Sequence, residues 1–307
     1  MTKLRSRILA AVAAVSLALP LQACANSTAP VATAAAPVAA SSGPALWKVT
    51  DDDTTIYLFG TVHALPKDVE WFRGPVAQAL SSAQVLVTEI PVGVLKQPEV
   101  QQAFVARATL PEGETLRGLL NAEQRATVEA AMGKLGVPAE AFDKFEPWFA
   151  AITMATIPML KAGYTMEAGV ENAVEGKVPA TVKRDALETV EDQLKLFDDM
   201  PQQAQIAYLL SVAEQIDRVV PSMNAMVAAW AKGDAEGLAE LMNEELDDPV
   251  LAERLLYARN RNWAEWVEAR LADPGTVFIA VGAGHLAGAN SVQDYLDKEG
   301  VAVTRVQ

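Results

Sequence analysis

The chain has 307 residues, of which 51% are hydrophobic, with a single cysteine and a formal net charge of −14 at pH 7. This length and composition suffice for one large or two modest domains with a sizeable core. The acidic balance argues against nucleic-acid binding and against docking to anionic membranes by charge, and one cysteine excludes an intrachain disulfide.

Residues 1–24 have the pattern of a bacterial export signal. Three basic residues precede an apolar run over residues 8–21, which is too short for a membrane-spanning helix. The run ends in Leu-Gln-Ala-Cys, which resembles a lipobox and predicts lipidation of Cys24. The alternative is an ordinary secretory signal that is cleaved nearby.

Lipidation would attach the chain to a membrane through its N-terminus. Ala25, in place of an aspartate, favours the outer membrane, with the protein facing the periplasm. With an ordinary signal, the protein would be periplasmic or secreted. Residues 25–44 contain Ala, Pro, Ser, Thr and Val without charge, which predicts a flexible tether.

Residues 45–307 are predicted to form the folded domain, with a helical insertion over about 97–271. Strands are predicted at 45–49, 55–59, 84–88, 178–184, 277–281 and 301–306. Helices are predicted at 75–82, 100–108, 121–135, 147–161, 189–197, 201–231, 249–271 and 291–299. Strands separated by helical crossovers favour an α/β (α+β) fold with a central mixed sheet.

The two histidines of the chain stand at the ends of two predicted strands. His63 and His285 both occur in the pattern Gly-x-x-His, and Glu89 directly follows a third predicted strand. Sheets of this kind bind ligands outside the carboxyl ends of their strands. If the three strands are neighbours, the three side chains meet.

Glycines in these loops indicate sharp turns and a close approach of backbone to a ligand. Gly60 and Gly282 each precede a histidine by three residues, and Gly284 adds a second such position beside His285. Only a residue without a Cβ allows the backbone to come so near another group.

Two imidazoles and a carboxylate form a plausible set of ligands for a divalent metal ion, with one coordination position left for water. Zinc, manganese and cobalt suit these ligands comparably. The metal would polarise a carbonyl and acidify water, which suits hydrolysis. The His-Glu-x-x-His spacing of helical zinc sites is absent. The sequence therefore predicts a metal-dependent hydrolase, with Glu89 as a ligand or general base.

At several positions the sequence resembles the TraB/PrgY/GumN family, which includes the TIKI-like metalloproteases. The similarity extends over nearly the whole chain after the tether. It rests on these segments and residues: Leu46–Val49, Tyr57–His63, Glu89, Gly169–Glu171, Leu187–Thr189 with Glu191 and Gln193, Arg259–Asn260 and Val281–Leu286.

The resemblance implies an α/β fold in which paired Gly-x-x-His loops and a glutamate form a metal-dependent, peptidase-like centre. Carried over by position, the metal ligands would be His63, Glu89 and His285, with Arg259 stabilising charge or orienting a carboxylate. Glu171 is a further catalytic candidate, although the family often has aspartate in its place. A peptide or protein would be the substrate.

Two other functions remain open from the sequence. The chain could be a surface lipoprotein that binds a metal complex, a tetrapyrrole or a signalling peptide without catalysis, since histidines at strand ends serve that role too. It could also be an interaction module in which both histidines are structural. The oligomeric state is not indicated by any pattern in the sequence.

Overall fold

The computed structural model describes residues 43–246 and 248–307. The predicted export signal, Cys24 and most of the predicted tether lie outside the described residues. In the part of the chain that is described, no helix has the length and apolar character needed to cross a membrane.

Six strands form one mixed sheet within the described residues. They are β1 (Leu46–Thr50), β2 (Thr54–Thr61), β3 (Val85–Thr88), β4 (Lys183–Ala186), β5 (Gly275–Gly282) and β6 (Val303–Arg305). Their spatial order is β4-β3-β5-β2-β1-β6. β2, β5, β3 and β4 run parallel, whereas β1 pairs antiparallel with both β2 and β6. The predicted α/β fold with a mixed sheet is confirmed.

The helices cover both faces of this sheet. They are α1 (Gly74–Ser82), α2 (Pro98–Arg107), α3 (Leu116–Leu119), α4 (Ala122–Leu135), α5 (Pro147–Lys161), α6 (Val170–Lys177), α7 (Val190–Asp198), α8 (Gln202–Glu214), α9 (Val219–Lys232), α10 (Ala235–Glu245), α11 (Pro249–Ala252), α12 (Ala258–Arg270) and α13 (Val292–Lys298). A π-helical turn, Glu253–Tyr257, joins α11 to α12.

β5 is apolar on both faces because it lies in the middle of the sheet between two cores. Phe278 belongs to the larger core, which includes most of the helical part of the chain. Ile279 belongs to the smaller core, together with Trp263 of α12 and Leu296 of α13. Strands buried on both faces have a continuous apolar sequence rather than an alternating one, which explains the run from Val277 to Val281.

Two of the predicted elements differ from those observed. The helix expected over 201–231 is divided into α8 and α9 by a 3-10 turn, Ile216–Arg218. The strand expected over 178–184 begins later, at Lys183, because residues 178–182 form the turn that follows α6. α3, α6 and α10 were not predicted.

Trp230 of α9 connects the large helical core to the first Gly-x-x-His loop. Its indole Nε1 donates a hydrogen bond of 2.8 Å to the carbonyl oxygen of Gly60. Its ring also packs edge-on against Trp71, with ring centroids 6.1 Å apart. A buried carbonyl at the end of β2 is thereby satisfied, and the turn that leads to His63 is fixed to the helices.

Candidate active site

Three adjacent parallel strands bring the predicted site residues together. β5 lies between β2 and β3, and His63, His285 and Glu89 follow the carboxyl ends of these three strands. All three side chains are buried. The adjacency that the sequence interpretation required is therefore present.

The three side chains surround the backbone of Gly282. A Cβ atom on Gly282 would lie 3.1 Å from Oε1 of Glu89, 3.5 Å from Cδ2 of His285 and 3.7 Å from Nε2 of His63. The backbone N–H of Gly282 donates to Oε1 of Glu89 at 2.7 Å. A side chain here would project among the three groups, and Oε1 of Glu89 would have to move by a few tenths of an ångström to admit it.

Gly60 allows the loop that carries His63 to lie close to the loop that carries His285. A Cβ atom at Gly60 would lie 2.9 Å from Cα of Ala283. This separation is shorter than real Cβ contacts, so the two Gly-x-x-His loops could not pack this closely with another residue at position 60.

His63 forms an ion pair with Glu171, at the start of α6. Nδ1 of His63 lies 2.5 Å from Oε1 of Glu171, and the hydroxyl of Thr61 donates to the same oxygen at 2.5 Å. Burial by itself lowers the pKa of His63, but the Glu171 carboxylate outweighs it and raises the pKa to about 9. Burial likewise raises the pKa of Glu171, and His63 and Thr61 reverse this and lower it. At neutral pH the pair is an imidazolium and a carboxylate.

Arg259 of α12 joins the other two carboxylates of the cluster, those of Glu89 and Glu188. Its Nη2 donates to Glu89 at 2.7 Å, while Nε and Nη2 donate to the two carboxylate oxygens of Glu188 at 2.7 and 2.8 Å. Its Nη1 donates to the carbonyl oxygen of Leu255 at 2.9 Å. The side chain of Arg259 is 5% exposed, so nearly all of its charge is compensated by the protein rather than by water.

His285 is neutral, and its tautomer follows from its two neighbours. Nη1 of Arg259 lies 3.0 Å from Nε2 of His285, and Oδ1 of Asn260 lies 2.5 Å from Nδ1. Because a guanidinium can only donate, Nε2 accepts and Nδ1 carries the proton that is donated to Asn260. Burial, and then the charge of Arg259, hold the pKa of His285 well below its usual value. The ring packs on Trp263 with a centroid distance of 4.2 Å.

Glu188 and Gln193 have a larger role in this cluster than local sequence patterns indicate. Glu188 is the bidentate partner of Arg259, and it also accepts from Nε1 of Trp263 at 3.1 Å. Nε2 of Gln193 donates to Glu89 at 2.9 Å. The signal in the sequence that could have identified Gln193 is its position among the apolar residues of α7. In the structure its side chain is 1% exposed. A buried amide needs partners, and here the partner is a site carboxylate.

An open pocket leads to one side of the cluster. His63, Glu89 and Glu171 line it together with residues of the segment 90–96 and the side chains of Met166 and Asn172. The space inside it that is open to water-sized groups is about 100 Å³, which is smaller than a typical ligand pocket.

The donor atoms of the cluster fit a divalent metal ion in kind, but they are not arranged as a closed metal site. His63 and His285 each have Nδ1 fixed by a neighbouring oxygen, as in metal-binding histidines whose Nε2 is the ligand. Among the described residues, no three His, Cys, Asp or Glu side chains are grouped so as to hold one ion. Arg259 also donates to both Glu89 and His285. Binding of an ion by all three predicted ligands therefore requires Arg259 to release them.

Gly169 provides a sensitive test of the packing beneath His63. A Cβ atom at Gly169 would lie 2.1 Å from the carbonyl oxygen of His63, and the next residue, Val170, donates its N–H to Val62 at 3.0 Å. We expect Gly169→Ala to lower the free energy of unfolding by about 2–3 kcal/mol or more, because backbone must move. Urea denaturation would measure this change.

The matched control for this substitution is Gly176→Ala within α6, where a new Cβ meets no atom within 4 Å. This variant should gain up to about 1 kcal/mol, because alanine is the better helix former. Equal stabilities of the two variants would contradict the close approach at Gly169.

The His63–Glu171 pair predicts how stability depends on pH. The folded pKa of His63, about 9, exceeds the ordinary value of 6.5, so the stabilisation is complete below pH 6.5 and is lost as pH rises through about 9. The expected loss is about 3 kcal/mol. Urea denaturation with chelator, from pH 6 to pH 10, would measure it. Glu171→Gln should remove most of this slope, and an unchanged slope would exclude the pair as its source.

Comparisons with known proteins show what the sequence is similar to. The model of the TraB/PrgY/gumN family matches residues 45–305. An uncharacterized protein of Treponema pallidum (strain Nichols) is 22% identical over 271 residues, which cover 82% of this chain and 80% of that protein. No solved structure matches the chain.

Proposed function

The chain belongs to the TraB/PrgY/gumN family, and from this starting point we propose that it is a metal-dependent hydrolase that cleaves peptide bonds at the cluster of His63, Glu89 and His285. The observation that carries the proposal is the convergence of these side chains on Gly282, beside an open pocket. Buried charged groups beside a pocket, with strongly shifted pKa values, are typical of catalytic sites.

The residues of the cluster have separate roles in this proposal. Glu89 lines the pocket and accepts a proton from the attacking water. Arg259, once released from Glu89 and His285, balances negative charge that develops on the substrate carbonyl. Glu171 orients His63, and Asn260 orients His285, so that both rings keep one fixed position.

A divalent ion held by His63, Glu89 and His285 would act as a Lewis acid that polarises the scissile carbonyl and acidifies water. His63 has a pKa of about 9, so its Nε2 must give up a proton before it can bind an ion. The affinity for metal should therefore rise with pH up to about 9, and binding should release a proton.

The test uses the full chain, purified without a histidine tag. Bound metals are measured by mass spectrometry, and Zn²⁺, Mn²⁺ and Co²⁺ are titrated by calorimetry in buffers of different ionisation enthalpy, which reports proton release. A peptide library is then digested with and without chelator. Metal-dependent cleavage supports the proposal. No bound or activating metal, together with unchanged behaviour of His63→Ala and His285→Ala, would refute it.

A second candidate is hydrolysis by the same residues without a metal ion. It is favoured by the hydrogen bonds that Arg259 already makes with Glu89 and His285. The protonated His63 would then give its proton to the leaving amine while Glu89 activates water. Peptide cleavage that persists in chelator identifies this route. Binding of peptides, metal complexes or tetrapyrroles without any turnover would instead identify a binding lipoprotein.

We also propose that the protein is a lipoprotein of the cell envelope, anchored through Cys24 in the outer membrane and facing the periplasm. The lipobox-like end of the export signal supports this. Metabolic labelling with a fatty-acid analogue should mark the wild-type chain and leave Cys24→Ser unlabelled. Labelling of neither chain would indicate an ordinary secretory signal.

A further inference from the structure

A larger cavity borders the candidate active site at the carboxyl ends of β3 and β4, and we call it the outer groove. The space inside it that is open to water-sized groups is about 560 Å³, which is in the usual range for ligand sites. Its floor is the face of the sheet that carries Leu86 and Ala186. Its walls are Glu175 of α6, residues of the segment 91–94 and the start of α7.

The outer groove and the smaller pocket of the candidate active site are neighbouring parts of one cleft. Thr88, Pro91 and Val92 line both spaces. α6 also borders both: Asn172 lines the smaller pocket, and Glu175, three residues later on the same side of the helix, lines the outer groove. A ligand in the outer groove therefore lies next to the pocket that contains the candidate catalytic residues.

Carboxylates outnumber cations along the outer groove. Among the described residues that line it, the charged side chains are Glu175, Asp185, Glu188, Asp192 and Arg184. Nε of Arg184 donates to Glu175 at 3.1 Å, and its two Nη atoms donate to the backbone carbonyl oxygens of residues 178, 179 and 182. Because every nitrogen of this guanidinium already has an acceptor, the groove offers little to an anionic ligand.

Two of the carboxylates at the rim of the groove can accept further hydrogen bonds. Oδ1 of Asp185 accepts the N–H of Ala186 at 2.9 Å, while its Oδ2 lies 3.9 Å from Nζ of the exposed Lys183. Thr189 donates only to Oδ2 of Asp192, so Oδ1 accepts no hydrogen bond within the part of the chain that the structure describes. Ammonium and guanidinium groups are the strongest partners for such oxygens.

The apolar floor and the acidic rim together match a lysine or arginine side chain. Leu86, Val92 and Leu187 provide apolar surface in the groove. Lysine and arginine bury their methylene stems along apolar surface and keep the charged group in a polar environment. An aliphatic side chain would use only the floor, and an acidic side chain would be repelled by the rim.

We propose that the outer groove binds the part of the substrate peptide beside the scissile bond and selects a lysine or arginine side chain, whose charged group pairs with the acidic rim. The inference rests on the proposed hydrolase function for the meaning of substrate, whereas binding does not require turnover. Exposed ion pairs are individually weak, so we expect a preference of about 3- to 30-fold for lysine over its uncharged analogue norleucine.

The full chain is titrated, in chelator, with fluorescently labelled alanine heptapeptides that contain one lysine, norleucine or glutamate at each position in turn. Fluorescence anisotropy measures binding, and mass spectrometry shows whether the peptides stay intact. At the best position, the lysine peptide should bind about 3- to 30-fold more tightly than the norleucine peptide, and the glutamate peptide should bind most weakly. The preference for lysine should decrease as salt is added.

Two variants test the groove independently. Asp185→Lys should remove or reverse the preference for lysine. Its matched control is Asp297→Lys, an exposed position on α13, which packs against the other face of the sheet, and this variant should keep the preference. Val190→Trp, in the wall of the groove, should weaken binding of all three peptides because the larger side chain fills the space. Either groove variant can fail to fold without compromising the other.

The outcomes separate this inference from the proposed function. Lysine-selective binding that depends on Asp185, with no cleavage after metal is added, supports the groove and refutes the hydrolase. Cleavage without a preference for lysine, or with a preference that Asp185→Lys leaves unchanged, overturns the groove. Equal losses for Asp185→Lys and Asp297→Lys would indicate a general effect of charge and also overturn it, as would failure of every peptide to bind.

Discussion

Replacing Arg259 with alanine is expected to lower the free energy of unfolding by about 3–5 kcal/mol. The guanidinium is almost fully buried and donates to Glu89, Glu188 and a backbone carbonyl. Removal leaves two carboxylates in a low-dielectric site without their cation. Arg259→Lys keeps the charge but not the planar two-pronged geometry, so it should recover only part of the loss. Urea and thermal unfolding at neutral pH would measure the stabilities of both variants.

Arg261→Ala is the matched control, two residues along the same helix. Arg261 pairs with Glu253 at the surface, and both side chains are more than 40% exposed. Such pairs contribute little and are screened by salt, so this variant should stay close to the wild type in stability. Equal losses for the two arginine variants would show that the buried network around Arg259 does not stabilise the fold.

Substitution of His63 by alanine should reduce kcat/KM for peptide cleavage by about 10²- to 10⁴-fold. The imidazole is required in either proposed route, as a metal ligand or as a proton donor. The two routes differ in the response to added metal. Excess Zn²⁺ or Mn²⁺ should partly restore cleavage if His63 is one of several ligands, and should not do so if it is an acid.

Because His63→Ala also leaves Glu171 without its partner, a loss of stability accompanies the loss of activity. Tyr164→Phe controls for this effect. Its hydroxyl donates to Asn224 at 2.6 Å, away from the cluster, so the variant loses a hydrogen bond worth about 1 kcal/mol and should keep wild-type cleavage. If Tyr164→Phe and His63→Ala lose activity equally, destabilisation rather than chemistry accounts for the loss.

The strand-end residues could be identified from the sequence because their signal is local. His63, Glu89 and His285 each follow a short apolar run, and the side-by-side order of β2, β5 and β3 is what places them together. Parallel strands joined by helices align their carboxyl ends at one edge of the sheet. The local sequence pattern and the order of the parallel strands therefore suffice to bring the strand-end half of the cluster together.

The helical half of the cluster could not be derived in the same way. Glu188 precedes a helix, where an acidic residue commonly stabilises the helix dipole. Its actual partner, Arg259, is 71 residues away. The packing of α6, α7 and α12 determines which helical residues face the edge of the sheet. No short sequence spacing predicts this packing. The resemblance pointed to Glu171 and Arg259, but it did not indicate which carboxylate pairs with which base.

The missed helix boundaries had local signals. Pro221 stands in the first turn of α9, where proline is well tolerated and marks a helix start. Gly233 ends α9 in the left-handed conformation, and Asp234 caps α10 by accepting from Gly237. The prediction of one helix over 201–231 therefore overlooked Pro221, which marks the start of α9. The pair Gly233-Asp234 at the end of α9 predicts the start of α10.

The pairing of β2 with β5 also determines when a functional site can exist. β2 is synthesised early and β5 late, yet the two strands are hydrogen-bonded along their whole length, so the cluster is assembled from the two ends of the folded domain. Contacts between segments so distant in sequence form late and slowly. A nascent chain therefore has no assembled cluster until β5 has been synthesised and paired with β2. If the chain is exported, as proposed, the proposed reaction would begin only after export and folding.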